Sequence, residues 1–390
     1  MMLPKDRVLA AFEHRPYDKV PHYQGGLSSR IGSEVLGRPD AHCGGGIQQW
    51  RESVALWNGP DAHREYVERC KQDAMDIIRK LDLDFVRPSY WRMGEKPTER
   101  LDEFTFVYGD RSKGAYRIMR VGPETELYQI VEQQPPKGET TVEAIEKSIE
   151  ASERALTNYT VGDNAFADNR EAMKVFGHER AVPGGGVGLG IPYKDPIWLE
   201  LIALRPDLVG RYLDVHAAHA VKNIEFQAKI NMGFRFLQGG GDFASNKGPF
   251  YSPRAFHELM LPRLKKISDA CHKHGMFHLF ASDGNLWPVA DDLFGASGVD
   301  GFYEIDSVAG MDLGKLRDAF PHLTLMGNIS SGVLHRGSKE DVVKETMYCL
   351  QVAKEKGSCI VGCSNQIVSQ TPPENFWAMI ETIQNNRDCR

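Results

Sequence analysis

From residue 181 onward, short apolar runs alternate with longer segments of helical spacing. The runs are "ERAVPGGGVGLG", "FRFLQGGGD", "MFHLFASD", "VDGFYEID", "HLTLMGN" and "SCIVGCSN". Each ends in glycine or polar residues. Between them, segments such as "RPDLVGRYLDVHAAHAVKNIEFQAKINMG" place apolar residues three and four apart, which predicts helices with one buried face. That long helix is expected to stop at its closing glycine. In "SPRAFHELMLPRLKKISDACHKHG", Ser252 reads as the N-cap, Pro253 as the first helical residue and Gly275 as the stop.

The first half is less regular. "KDRVLAAFEHRP" predicts a short helix, "KVPHYQGG" a strand, and "DAHREYVERCKQDAMDIIRKLDLD" a helix feeding "FVRPSYW". From about 104 to 133 the pattern becomes that of antiparallel strands with glycine-containing turns. Helices are expected over 141–157 and 163–176. Eight strand–helix units result, with strands beginning near 20, 84, 181, 234, 276, 300, 323 and 358. Continuous apolar strands between helices predict a parallel sheet covered on both faces. Eight units predict an α/β fold, a single (β/α)8 TIM barrel over 1–390, with a β-hairpin and helical insertion at about 91–180. A doubly wound open sheet is the second choice.

In such a barrel the chemistry gathers where strands end. The predicted exits carry Gly25-Gly26, Arg87, Gly184 to Gly186, Asp242, Asp283, Glu304 with Asp306, Asn328, and Cys363-Ser364-Asn365. In "GGGDFASNKGPFYSP" the triple glycine is expected to let backbone approach a ligand, with Asp242 coming at once after it. "GGGVGLG" lacks the Lys-Ser/Thr of a phosphate loop and reads as a loop that admits a bulky ligand. "CHKH" at 271–274 has metal-ligand residue types but falls in a last helical turn, where His and Lys meet the helix dipole. His216 and His219 sit mid-helix and read as structural. No serine-nucleophile elbow is present.

The charge of -6 gives no pull toward nucleic acid or an acidic membrane. No stretch reaches the roughly 20 apolar residues of a membrane span. Seven scattered cysteines and an N-terminus without a signal-type apolar core are expected of reduced thiols in a cytoplasmic protein.

At "GPFYSP", "SDGNLWP", "AGMDLGKLRDAF", "LMGNIS" and "TPPENFWAMI" the chain resembles the uroporphyrinogen decarboxylase superfamily. That superfamily holds porphyrinogen decarboxylases, which are lyases, and cobamide-dependent methyltransferases that activate a thiol with zinc. The resemblance runs from about residue 3 to the end, is densest after 230, and implies a (β/α)8 barrel. "SDGN" marks a divergent branch. The decarboxylases carry an arginine-rich motif near the N-terminus; the matching "VPHYQGGLSSRIG" has only Arg30. Asp84 in "DLDFVRPSYW" is the nearest match to their catalytic aspartate, and their C-terminal Gly-His is Gly362-Cys363. A molecule with eight carboxylates needs several guanidinium partners, which argues against uroporphyrinogen. Where the methyltransferases have His-x-Cys, this chain has Ala281 and Asp283; only Cys363 keeps a ligand type. No metal is therefore assigned, and an altered zinc site would draw on Asp283, Cys363 and Glu304.

The resemblance implies methyl-group transfer on a small or medium organic substrate, with a corrinoid on a partner protein as the acceptor it allows. The alternatives are decarboxylation of a porphyrinogen-like polycarboxylic acid and a non-catalytic ligand-binding barrel. Asp283, Asp242 and Glu304 are the expected acid/base and orienting groups, and Asp84 is the catalytic group in the decarboxylase reading. Arg87, Tyr90, Trp91, Gly185, Asn328, Asn365 and Cys363 are expected to contact substrate. Barrels of this family commonly pair, so a homodimer is expected, with no nucleic-acid or membrane partner.

Overall fold

The computed structural model describes residues 2–87, 92–134 and 141–389. Five parallel strands stand side by side in the order Cys359–Ile360, Thr324–Met326, Gly301–Tyr303, Phe277–Ala281, Phe236–Gly240. Single parallel bridges carry the pairing onward from Leu237 to Gly184, Ala181 to Phe85, Phe85 to Tyr23 and His22 to Val361. The last bridge returns to the strand that began the series, so the pairing runs full circle through eight strands. The fold is the expected α/β barrel.

Its lower interior is aromatic. Phe236 packs against Phe85 with ring centroids 5.5 Å apart, and Phe12 meets Phe236 at 4.9 Å and Phe277 at 5.0 Å. Phe12 ends the helix Pro4–Phe12, which therefore closes the bottom of the ring. Thr324 Oγ1 donates to the Ala11 carbonyl at 3.1 Å and ties a strand to this plug. A Cβ on Gly301 would lie 2.9 Å from the Phe12 ring, so glycine makes room for it. Burying a phenylalanine contributes about 1.5–3 kcal/mol, and this stack fixes which side of each strand faces inward.

The helices depart from expectation where local chemistry dictates. Helix Pro206–Ile230 stops at Asn231 in the left-handed conformation (φ 50), ahead of the expected glycine. Ser252 caps as expected, accepting from Ala255 N, but a π-helical turn over Phe256–Met260 interrupts the helix. Pro262 lacks the N–H that would bond Glu258. Arg263 Nη1 replaces it, donating to the carbonyls of Glu258 and Leu259, each at 3.2 Å. The expected helix after "SDGN" is a 3-10 turn, Trp287–Val289, and then a π-helical segment, Asp291–Ala296.

The insertion is a four-stranded antiparallel sheet in chain order: Glu99–Arg100, Thr105–Asp110, Ala115–Gly122, Leu127–Gln134. Phe106, Tyr108, Met119, Val121 and Tyr128 form its own core, covered by Ile47, Trp50 and Val54 of helix Gly45–Asn58. Glu126 ties it to the barrel by accepting from Ser29 N at 2.6 Å and Arg30 N at 2.7 Å, a carboxylate at the positive end of helix Ser29–Leu36. Among the described residues no helix is long and apolar enough to cross a membrane.

Candidate active site at the barrel mouth

Successive strand residues face opposite sides, so the inward phenylalanines set which later residues of each strand also point inward. Phe85 leads to Arg87, Phe236 to Asp242, and Phe277 to Asp283. The site rises from the aromatic stack along these strands. Its floor is Tyr23, whose ring meets Phe85 edge-on at 5.8 Å, and Tyr303, whose hydroxyl donates to the Gly239 carbonyl at 3.2 Å.

Above the floor, Asp283 receives hydrogen bonds from Asn365 Nδ2 on both oxygens, at 3.1 Å on Oδ1 and 3.0 Å on Oδ2. The Asn365 amide is itself oriented, because its Oδ1 accepts from Gln366 N at 2.6 Å. The Asp283 backbone N–H donates to Asp242 Oδ1 at 3.4 Å. Burial, and then the charges of Asp242 and Asp306, push Asp283 up to about 6, against the pull of Asn365. Glu304 is pushed up to about 7 by burial and by Asp283, against Arg87. Glu304 also holds a left-handed backbone (φ 68), a conformation that costs a non-glycine residue roughly 1–3 kcal/mol and clusters at functional sites. Asp306 caps the adjoining turn, accepting from Ala309 N at 3.2 Å. Among the described residues, carboxylates thus outnumber the single guanidinium, Arg87, that couples to Glu304, Tyr23 and Tyr303. Two of these carboxyl groups exchange protons near neutral pH, which suits them to load or remove a proton at a substrate atom.

The residues around Asp283 explain "SDGN". The buried Ser282 hydroxyl accepts from Phe243 N at 3.4 Å and donates to the Asp283 carbonyl at 3.1 Å. Gly284 has φ 92, and a Cβ there would lie 2.7 Å from the Ala244 backbone. Asn285 accepts from Trp287 N at 3.1 Å and its own N–H bonds the Ser245 carbonyl at 2.9 Å. Ser282, Gly284 and Asn285 dock the loop, and Asp283 is left to face the mouth.

The glycine runs serve packing rather than ligand approach. A Cβ on Gly188 would lie 2.9 Å from the Gly240 carbonyl, and one on Gly240 2.6 Å from that of Ala281. Cβ atoms on Gly239 and Gly241 would overlap the backbone of Val187 and Leu189. The two glycine-rich exits lie backbone against backbone, which corrects the expectation for "GGGD" and for "GGGVGLG". Gly185 has both polar backbone groups engaged by Gln227, at 3.1 Å and 2.9 Å.

The structure brings Asp242, Asp283, Glu304, Arg87 and Asn365 together and leaves Asp84 apart. Asp84 stands at the start of its strand, three residues before Arg87. It accepts from His22 N at 2.8 Å and Arg7 Nη1 at 3.0 Å, and it pairs with Arg387 Nη2. This buried brace joins both ends of the chain to the second strand, which corrects the expected catalytic role. Asn365 contacts Asp283 through its side-chain amide. Asn328 is buried at its strand exit, and neither of its amide atoms has a partner among the described residues. Tyr90 and Trp91 lie outside the described residues. His272 pairs with Asp300 at 2.9 Å, and the His216 ring packs tilted against Tyr212, so these two histidines have structural partners. The sequence pattern alone does not single out Tyr23 and Tyr303; the strand parity that passes from Phe85 to Arg87 is the signal for such floor residues.

Among the described residues no group of three or more His, Cys, Asp or Glu side chains is placed to hold a metal ion. Cys363 is buried, and burial pushes its thiol up to about 12.

A family model and a solved methyltransferase structure agree with this architecture. The family model described as uroporphyrinogen decarboxylase (URO-D) matches residues 197–386, the span that carries Asp242, Asp283, Glu304 and Asn365. A methyltransferase from Methanosarcina mazei superposes with a TM-score of 0.61 over 99% of both chains at 18% identity, a likeness of fold. A protein described as a putative vitamin-B12 independent methionine synthase from Listeria monocytogenes gives a TM-score of 0.44 at 14% identity, covering 94% of this chain and 98% of the other. No curated protein sequence matches. Residues 197–386 thus match the uroporphyrinogen decarboxylase family, and the closed barrel agrees with that match.

Proposed function

We propose that this protein is an enzyme of methyl-group transfer, acting on a small or medium organic methyl donor held in the barrel mouth. The observation that carries the reading is the cluster of Asp242, Asp283 and Glu304 with two protonation equilibria near neutrality. A site with more carboxylates than guanidiniums repels a polycarboxylic porphyrinogen. It suits a donor whose leaving atom must take a proton. The acceptor's electron pair forms the new bond to the methyl carbon. The old bond's pair stays on the leaving atom, which receives a proton from Glu304 or Asp283. Asn365 keeps Asp283 aimed, and Asp242 sets its charge. A reduced corrinoid on a partner protein is the methyl acceptor that the superfamily suggests.

The test is to incubate the protein with chemically reduced cobalamin and a panel of methyl ethers and methylamines, monitoring methylcobalamin by absorbance. Turnover with at least one donor is expected, falling about 10²–10⁴-fold in Asp283→Asn. Conversion of uroporphyrinogen to coproporphyrinogen, with no methyl transfer from any donor, would overturn the reading.

A further inference from the structure

Two acids stand at the mouth, and their surroundings differ in kind. Asn365 Nδ2 donates to both oxygens of Asp283, at 3.1 Å and 3.0 Å. That amide cannot turn round, because its Oδ1 accepts from Gln366 N at 2.6 Å. Asn365 therefore offers Asp283 a donor and no acceptor. A carboxylate accepts such a donor on both oxygens, whereas a protonated carboxyl must give up part of the contact, so the pairing favours the charged form.

Glu304 has no such partner. Among the described residues no hydrogen bond is made to its carboxyl, and the Arg87 guanidinium, engaged with the Tyr23 hydroxyl, acts on it by charge alone. Its backbone explains how it reaches the mouth. Tyr303 faces inward, with its hydroxyl on the Gly239 carbonyl. Strand alternation would turn the next residue outward. Glu304 instead couples to Asp283, Asp242 and Arg87, and the left-handed φ of 68 is the break in alternation that turns it inward. The strain places a carboxyl that the fold otherwise leaves unbonded.

The geometry points to a division of labour between these acids: Glu304 holds the transferable proton, and Asp283 stays a carboxylate because Asn365 can only donate to it. Asn365 is then a positioning residue. The charged and titratable groups around the pair are Asp242 and Asp306 beside Asp283, and Asp242, Arg87, Tyr23 and Tyr303 beside Glu304. Burial and neighbouring charge raise the two acids in the same order, Glu304 to about 7 and Asp283 to about 6. The use of the proton rests on the function proposed above. There the leaving atom keeps the electron pair of its broken bond to the methyl carbon and takes the proton from Glu304. Glu304 is left as a carboxylate beside Asp283, and this like-charge contact favours its reprotonation from solvent.

The test follows carboxyl ionisation without substrate. Infrared spectra of the whole protein are recorded as pH rises from about 5 to about 9, and the last carboxyl to ionise is followed by its carbonyl stretch. Glu304→Gln should abolish that step. Asp283→Asn should keep it at a midpoint about one unit lower, because a like charge is gone. Asn365→Leu should add a second late step, which Asp283→Asn in the same background removes. Melting curves check that each variant is folded. Absence of a late step in the parent overturns the assignment, as does a step that survives Glu304→Gln, one that Asp283→Asn abolishes or leaves unshifted, or an Asn365→Leu variant that titrates like the parent. In the methylcobalamin assay Glu304→Gln should lose turnover about 10²–10⁴-fold at every pH, whereas Asp283→Asn should regain activity as pH falls. The infrared titration needs no methyl donor or acceptor, so the two proposals fail separately. The expected titration without methyl transfer removes only the reaction, and methyl transfer with the late step assigned to Asp283 removes only the division of labour.

Discussion

Replacing Asp84 by Ala or Asn separates a structural brace from a catalytic acid. In the fold its carboxylate is 1% exposed and joins Arg7 and Arg387, whose side chains are 6% and 4% exposed. Removing one member of a buried ion pair costs about 3–5 kcal/mol, because the partners keep their charge without compensation. Arg7 retains Asp18 at 2.7 Å, and Arg387 retains the Val20 carbonyl at 3.0 Å, which places the cost in the lower half, about 3–4 kcal/mol. Unfolding entropy near 2.1 cal/mol/K per residue over 390 residues gives about 0.8 kcal/mol/K. The melting temperature should therefore fall by about 4–5 °C. Scanning calorimetry of parent and both variants at pH 7 measures this directly, with the methylcobalamin assay run below the melt. Methyl transfer per folded molecule should persist. A melt unmoved by either substitution refutes the brace, and an unmoved melt with activity lost returns Asp84 to the reaction.

Glu304 gives a prediction of opposite sign. Its folded pKa of about 7 lies above the ordinary value near 4.3, so the folded state favours its protonated form. That contribution is fully present below about pH 4 and is lost as pH rises through about 7. Glu304→Gln should therefore raise stability at pH 8, by an amount of order 1–3 kcal/mol, seen as a higher melting temperature, and leave it unchanged at pH 4. Equal effects at both pH values would sink the electrostatic account. Gly241→Ala should destabilise by about 1–3 kcal/mol through overlap with the Leu189 carbonyl. Gly162→Ala, with nothing within 4 Å, should stay within about 0.5 kcal/mol of the parent. Denaturant midpoints decide, and equal values for the two would show that the glycine-rich exits are not backbone-packed.

Much of the site is legible in local pattern because strand exits have a local signature. "FHLFASDGN" shows an apolar run ending at an acid and a turn, and the same holds at Asp242 and Glu304. Asp84 misleads because a position next to an apolar run looks the same at either end of a strand. Only its partners, Arg7 and Arg387, reveal which end it occupies. The glycine runs mislead for a related reason: a sequence shows that a Cβ is missing, not what stands in its place.

Taken alone, the sequence determined the alternation of elements, and with it the barrel. Side-chain period, caps and stops act within a few residues of each other. Tertiary structure alone decided the pairings across the ring. Asn365 reaches Asp283 from 82 residues away, Asp84 is held between the two chain ends, and Gly25 faces Arg87 and Tyr23. These depend on closure of eight strands around one aromatic core, and no local pattern encodes the distance between residues that only closure brings together.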